Sequence, residues 1–117
     1  MRTLLDAEPG IEVVGEADDG REGLRLAKEH QPDVVICDLR METMDGIELT
    51  RELQGLSPLT RVIILTMYQD PVYITQAMEA GACGYVLKGT DIGELVRAIH
   101  EVTSGHRYLS PFLSEKK

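Results

Sequence analysis

The sequence predicts an α/β fold in one domain, a doubly wound parallel sheet with helices packed on its faces. Three observations predict it. Strand-like and helix-like segments alternate through short loops, which gives right-handed crossovers and parallel strands. The run VVIC at 34–37 is apolar at every position, as in a strand covered on both faces. Three successive strands also end on a side chain that carries chemistry, Asp38, Thr66 and Lys88, at the edge where open α/β sheets bind ligands.

Taken in order, IEVVGEA (11–17) reads as a strand and GREGLRLAKEH (20–30) as a helix. Asp18 and Asp19 precede that helix as capping residues; the alternative is that they supply carboxylates to Asp38. Pro32 marks the next turn, and DVVICD (33–38) is the second strand. GIELTRELQGL (46–56) is helical, with Asp45 as its cap and Gly46 allowing a close turn. RVIILT (61–66) is a strand. PVYITQAMEA (71–80) is a helix with Asp70 as N-cap, Pro71 at its first position and Gly81 at its end. GYVLK (84–88) is a short strand. In DIGELVRAIHEVTSG, Ile92, Leu95, Val96, Ile99 and Val102 share one helical face, Asp91 and Glu94 stand in capping-box positions, and Gly105 stops the helix. The tail HRYLSPFLSEKK gains Ser, Pro and Lys and loses periodicity. The expected division is a domain at 1–105 and the start of a linker at 106–117.

Composition narrows the function. At 117 residues and 43% hydrophobic, the chain supports one modest core. A net charge of -8 argues against direct nucleic-acid binding, which needs clustered Lys and Arg. No apolar run approaches the roughly 20 residues that span a bilayer, and MRTLLDAEPG lacks the apolar segment of a signal peptide. A cytoplasmic location and no membrane partner are expected. Cys37 ends one strand and Cys83 stands just before another, which puts them at opposite edges of a parallel sheet, so no disulfide is expected. His30, His100 and His106 have no metal-ligand spacing and read as surface residues.

Singly, Asp38 is an ordinary strand-end cap, Thr66 a hydroxyl bonded to backbone and Lys88 a solvent-facing edge residue. Together, a carboxylate, a hydroxyl and an ammonium on one edge form a site for phosphoryl transfer. The carboxylate attacks phosphorus, and the other two groups hold phosphoryl oxygens.

The motifs IEVVGEADDGREGL, PDVVICDLRMETMDGIEL, VIILTMY, AMEAGACGYVLKGTDIGELVRAI and YLSP together resemble the receiver domains of two-component response regulators. The resemblance is to the CheY-like, flavodoxin-like family, in particular to members that carry a LuxR-type DNA-binding domain, and it covers essentially the whole chain. It implies that Asp38 is the phosphoacceptor, Thr66 the hydroxyl that moves toward the phosphoryl group, and Lys88 the ion-pair partner. Tyr85 is implied as the aromatic switch. A sensor histidine kinase is the implied donor, transcription regulation the implied output, and Mg2+ the implied cofactor, held in part by Asp38 and the backbone carbonyl of Arg40.

Against that family the chain starts late, without the first strand and its acidic pair. The remaining Mg2+ ligands are therefore expected to be absent, and the sheet to have four strands. Such a sheet closes by pairing 11–17 with 33–38, or self-associates, with strands exchanged in a dimer. Glu42 stands where the family has proline, and Met67 and Tyr68 follow Thr66, where their bulk slows water.

Two other readings remain. One is a phosphorylation-independent interaction or dimerisation module with a receiver-like fold. The other is a small phosphatase of the haloacid-dehalogenase type, which needs an acid two residues after its nucleophile; Arg40 occupies that position. A non-enzymatic role is expected.

Overall fold

In the computed structural model, which describes residues 10–12, 15, 17, 19–40, 44–67, 71–88 and 92–110, helices and strands alternate from Gly20 to Leu109. The elements are α1 (Gly20–His30), β1 (Val34–Asp38), α2 (Gly46–Leu56), β2 (Arg61–Thr66), α3 (Pro71–Glu79), β3 (Gly84–Leu87), α4 (Ile92–Thr103) and β4 (Tyr108–Leu109). The strands form one parallel sheet in the order β1-β2-β3-β4. The α/β class and the count of four agree with the sequence reading. The radius of gyration, 13.0 Å, matches the value of about 13 Å for one compact unit of this length.

The identity of one strand differs from expectation. The strand expected at 11–17 lies partly outside the described residues, at 13, 14 and 16, and Ile11, Glu12, Gly15 and Ala17 belong to no strand. Among the described residues β1 pairs with β2 alone, so the closure of β1 against 11–17 is not seen there. The fourth strand is Tyr108–Leu109, inside the stretch read as linker, and Ser110 after it is buried. Regular structure thus continues past Gly105. A strand of two residues has no period to detect, and its existence rests on the free edge of β3 beside it.

The sheet separates two apolar layers because its central strand is apolar on both sides. Val62 and Ile64 of β2 and Tyr85 of β3 face α1, α2 and α3, packing with Ala27, Leu53, Ile74 and Ala77. The alternating residues Ile63, Leu65 and Val86 face α4, packing with Leu95, Ala98 and Val102. Ile92, Val96 and Ile99, expected on the same stripe of α4, are half-buried against that cluster. Val34, Val35 and Ile36 of β1 are also only half-buried, whereas Val62, Ile63 and Ile64 are fully buried, as befits a strand with one ladder partner among the described residues beside a strand with two.

Local chemistry sets the helix ends. Asp19 caps α1 by accepting the Glu22 N–H at 2.9 Å, which assigns it to the helix rather than to the carboxyl edge. Gly105 follows α4 at φ +92°, the left-handed conformation expected of a stop. The expected caps Asp70 and Asp91, and Asp18, lie outside the described residues. At the far end of the sheet the Thr60 hydroxyl donates to the Pro32 carbonyl at 2.7 Å and lies 2.7 Å from the Ser57 hydroxyl, which donates to Gln31 Oε1 at 3.3 Å. Cys37 and Cys83 are free thiols, as expected.

Candidate functional site

Asp38 closes β1, Thr66 closes β2 and Lys88 follows β3, so the parallel register delivers all three to one edge. Asp38 stands opposite Leu65, and Thr66 opposite Leu87. One residue on, the Lys88 N–H donates to the Thr66 carbonyl at 2.8 Å, fixing the lysine main chain to β2. Its Nζ then lies 3.2 Å from Asp38 Oδ2, with 42% and 43% of the two side chains exposed. Thr66 is 1% exposed. A cleft of about 200 Å³ opens here, lined by Asp38, Leu39, Arg40, Thr66, Met67 and Lys88.

An ion pair this exposed contributes no more than about 1 kcal/mol to stability. Its significance is chemical: it holds a cation where an anion attached to Asp38 would need one.

The loop after Asp38 is shaped by α2. The Leu39 N–H reaches the Leu65 carbonyl at 3.4 Å, and the Gly46 N–H donates to the Leu39 carbonyl at 2.9 Å. A Cβ on Gly46 would stand 2.5 Å from the Asp38 carbonyl oxygen and 3.2 Å from Leu39 Cα. The close turn therefore requires glycine, and it requires it against Asp38 itself. Asp45 accepts the Glu48 N–H at 2.8 Å while Glu48 accepts the Asp45 N–H at 3.2 Å, a complete capping box. This is the cap role expected for Asp45.

Beside Asp38, the Cys37 thiol is pushed up from 9.0 to about 12, chiefly by burial and further by the charges of Asp38 and Asp45. It is a neutral core group and not a nucleophile. Tyr85 is fully buried, opposite Ile64 on one side and Leu109 on the other, and faces the same layer as Ile64.

One set of residues near the site escaped the sequence reading. Ser110, 2% exposed, accepts the Leu87 N–H at 3.0 Å and donates to Glu94 Oε1 at 2.9 Å. Glu94, read as half of a capping box, is thus engaged with the tail. The sequence signals there were the motif YLSP, which carries part of the resemblance, and β-prone Tyr108 after a helix stop.

A Mg2+ ion demands a near-octahedral set of oxygens. Among the described residues no three His, Cys, Asp or Glu side chains cluster as a metal site. Among the described residues the cleft is lined by one carboxylate, Asp38, which Lys88 already faces, together with Arg40. The described donors by themselves do not fit the ion. Arg40, two residues after Asp38, offers no acid for a phosphatase, and Glu42 and Tyr68 lie outside the described residues.

Comparisons with known proteins give the family and the fold. Residues 1–100 match the family model described as response regulator receiver domain. The response regulator GacA of Pseudomonas aeruginosa is 42% identical over 115 residues, 98% of this chain and 53% of the relative. The transcriptional regulatory protein LiaR of Bacillus subtilis is 40% identical over 116 residues, 99% of this chain and 55% of the relative. The crystal structure of a two-component response regulator of the LuxR family from Aurantimonas sp. SI85-9A1 superimposes with a TM-score of 0.88 at 43% identity, covering 94% of this chain and 79% of that one. The chain spans about half the length of the curated relatives it matches.

Proposed function

The chain belongs to the response regulator receiver domain family, and from that premise we propose that Asp38 accepts a phosphoryl group from a sensor histidine kinase and thereby controls a DNA-binding output domain. The observation that carries this reading is the 3.2 Å approach of Lys88 Nζ to Asp38 at a cleft that Thr66 also lines. In the transfer, an Asp38 carboxylate oxygen forms a bond to phosphorus as the bond from phosphorus to the kinase imidazole breaks. The electron pair returns to the imidazole nitrogen, and the product is an acyl phosphate. Lys88 meets the added charge with its ammonium, and the Thr66 hydroxyl donates to a phosphoryl oxygen. Tyr85, on the layer shared with Ile64, repacks as Thr66 moves, changing the surface formed by α3, β3 and α4.

Receiver domains of this family typically bind Mg2+ at the phosphorylation site, where it neutralises phosphate charge. They are generally signalling modules rather than enzymes. Among the described residues no helix is long and apolar enough to cross a membrane, and we assign the domain to the cytoplasm, where a kinase would meet it. The division into a receiver domain and a following linker also belongs to this reading, with the boundary moved past Ser110.

A second reading, an interaction module that works without phosphorylation, is favoured by the single carboxylate that lines the cleft among the described residues. One experiment separates the two. Intact mass is measured after incubation with acetyl phosphate and Mg2+, beside an Asp38→Asn control. The proposed function expects a phosphate-sized gain that the control lacks. A folded protein that gains nothing is the interaction module instead.

A further inference from the structure

The tail strand lies next to the site. Tyr108 N–H donates to the Cys83 carbonyl at 2.9 Å and Ser110 N–H to the Tyr85 carbonyl at 3.1 Å, laying the segment along the outer edge of β3. Ser110 then turns its hydroxyl back onto the ladder and takes the Leu87 N–H at 3.0 Å. A hydroxyl has one proton, and here it goes to Glu94 Oε1 at 2.9 Å, which leaves the oxygen lone pair for Leu87. Glu94 also bonds the Tyr108 side chain, so one carboxylate on α4 holds two residues of the tail.

The consequence falls on Lys88. Its N–H is bonded to Thr66 on the β2 side, and the preceding N–H, that of Leu87, is bonded to Ser110 on the β4 side. The Leu87 N–H belongs to the Val86–Leu87 peptide and the Lys88 N–H to the Leu87–Lys88 peptide, so the two bonds hold the planar units on either side of the Leu87 Cα and leave only its φ and ψ between them. The Lys88 side chain reaches Asp38 from that base. An exposed lysine carries about 2 kcal/mol of rotamer entropy and does not hold one geometry unaided. Its anchorage therefore has to come from the main chain.

We propose that Ser110, oriented by Glu94, is a positioning residue for Lys88, so that docking of Tyr108–Ser110 and the geometry of the Asp38–Lys88 pair are coupled. This rests on the reading of Lys88 as the phosphoryl partner, and it ties the chain that continues beyond Ser110 to the site through one hydroxyl and the backbone of Leu87. Coupling of this kind is reciprocal: what orders Lys88 holds the tail down, and what frees the tail loosens Lys88.

The test is amide hydrogen exchange, read by NMR on the 117-residue chain without any phosphodonor, so that failure to phosphorylate leaves it readable. Ser110→Ala is expected to speed exchange at Leu87 and also at Lys88 by about tenfold, the worth of one net hydrogen bond, while Ile63 in the sheet centre is unchanged. Ser110→Thr, which keeps the hydroxyl, restores both, and Lys88→Ala speeds exchange at Leu87 and Ser110 in return. Acceleration at Leu87 with Lys88 at its original rate overturns the proposal, because the tail is then a simple edge cover. Should Ser110→Ala fail to fold, Glu94→Ala removes the orienting acceptor from a half-buried site and is read at the same amides. Uniform acceleration across the sheet in that variant also overturns the proposal.

Discussion

Cys37 and Asp38 are adjacent, yet burial gives them opposite characters. Asp38 is nearly half exposed and faces Lys88; Cys37 is 7% exposed and held neutral. Because the thiol is raised from 9.0 to about 12, the folded chain keeps a proton that the unfolded chain gives up first. Below pH 9 both states are protonated and this contribution is fully present; it is lost as the pH rises from 9 toward 12. The loss amounts to about 4 kcal/mol by linkage. Tyr108, raised above 10.0 by burial and by Glu94, adds a loss of the same sign above pH 10. Urea unfolding across this range should show stability falling in wild type and falling less in Cys37→Ala. Parallel decline of the two would mean that the thiol ionises freely in the fold. In the native protein below pH 9, a thiol reagent should modify half-buried Cys83 well before Cys37.

The loop after Asp38 is fixed from the α2 side, and two adjacent residues do so differently. Asp45 satisfies backbone donors at the helix start, so Asp45→Ala should cost about 0.5–2 kcal/mol and leave the Asp38–Lys88 contact in place. Gly46 leaves room for the Asp38 carbonyl, and Gly46→Ala forces backbone apart there. It should cost about 1–3 kcal/mol and also displace Asp38. Denaturant titration gives the two costs, and Asp38 and Lys88 chemical shifts separate them: moved in Gly46→Ala, unmoved in Asp45→Ala. Shifts moved equally in both would mean that the cap, not the close approach, sets the loop. The same elements show how far local pattern reaches. The caps at Asp19 and Asp45 and the stop at Gly105 were legible because each follows from one residue's chemistry. On α4 the fully buried line is Leu95, Ala98 and Val102, with Ala98 in place of the larger Val96 and Ile99. A stripe of apolar residues gives the face of a helix but not its rotation, which packing against Ile63 and Val86 decides.

Among the described residues, three helices pack on one side of the sheet and one on the other, and β1 has a ladder partner on one side. Its Val34, Val35 and Ile36 stay half-buried with apolar chemistry on both faces. An apolar edge strand invites pairing with another chain, and here the net charge of -8 is the opposing force. Sedimentation velocity should find association that grows with protein concentration and with added salt, which screens the repulsion. A single monomeric species over the whole range would mean that this edge is covered within the chain.

What the sequence by itself determined is the fold class, most of the element boundaries, and the three residues at the carboxyl edge. Each of these follows from a period, a cap or a strand end, signals that local chemistry writes into a few consecutive positions. Only the tertiary structure decided that Lys88 Nζ meets Asp38 at 3.2 Å, that Gly46 abuts the Asp38 carbonyl, and that Tyr108–Ser110 joins the sheet beside Leu87. Those contacts join residues from 8 to 50 positions apart, and their free energy exists only once the chain has brought the partners together.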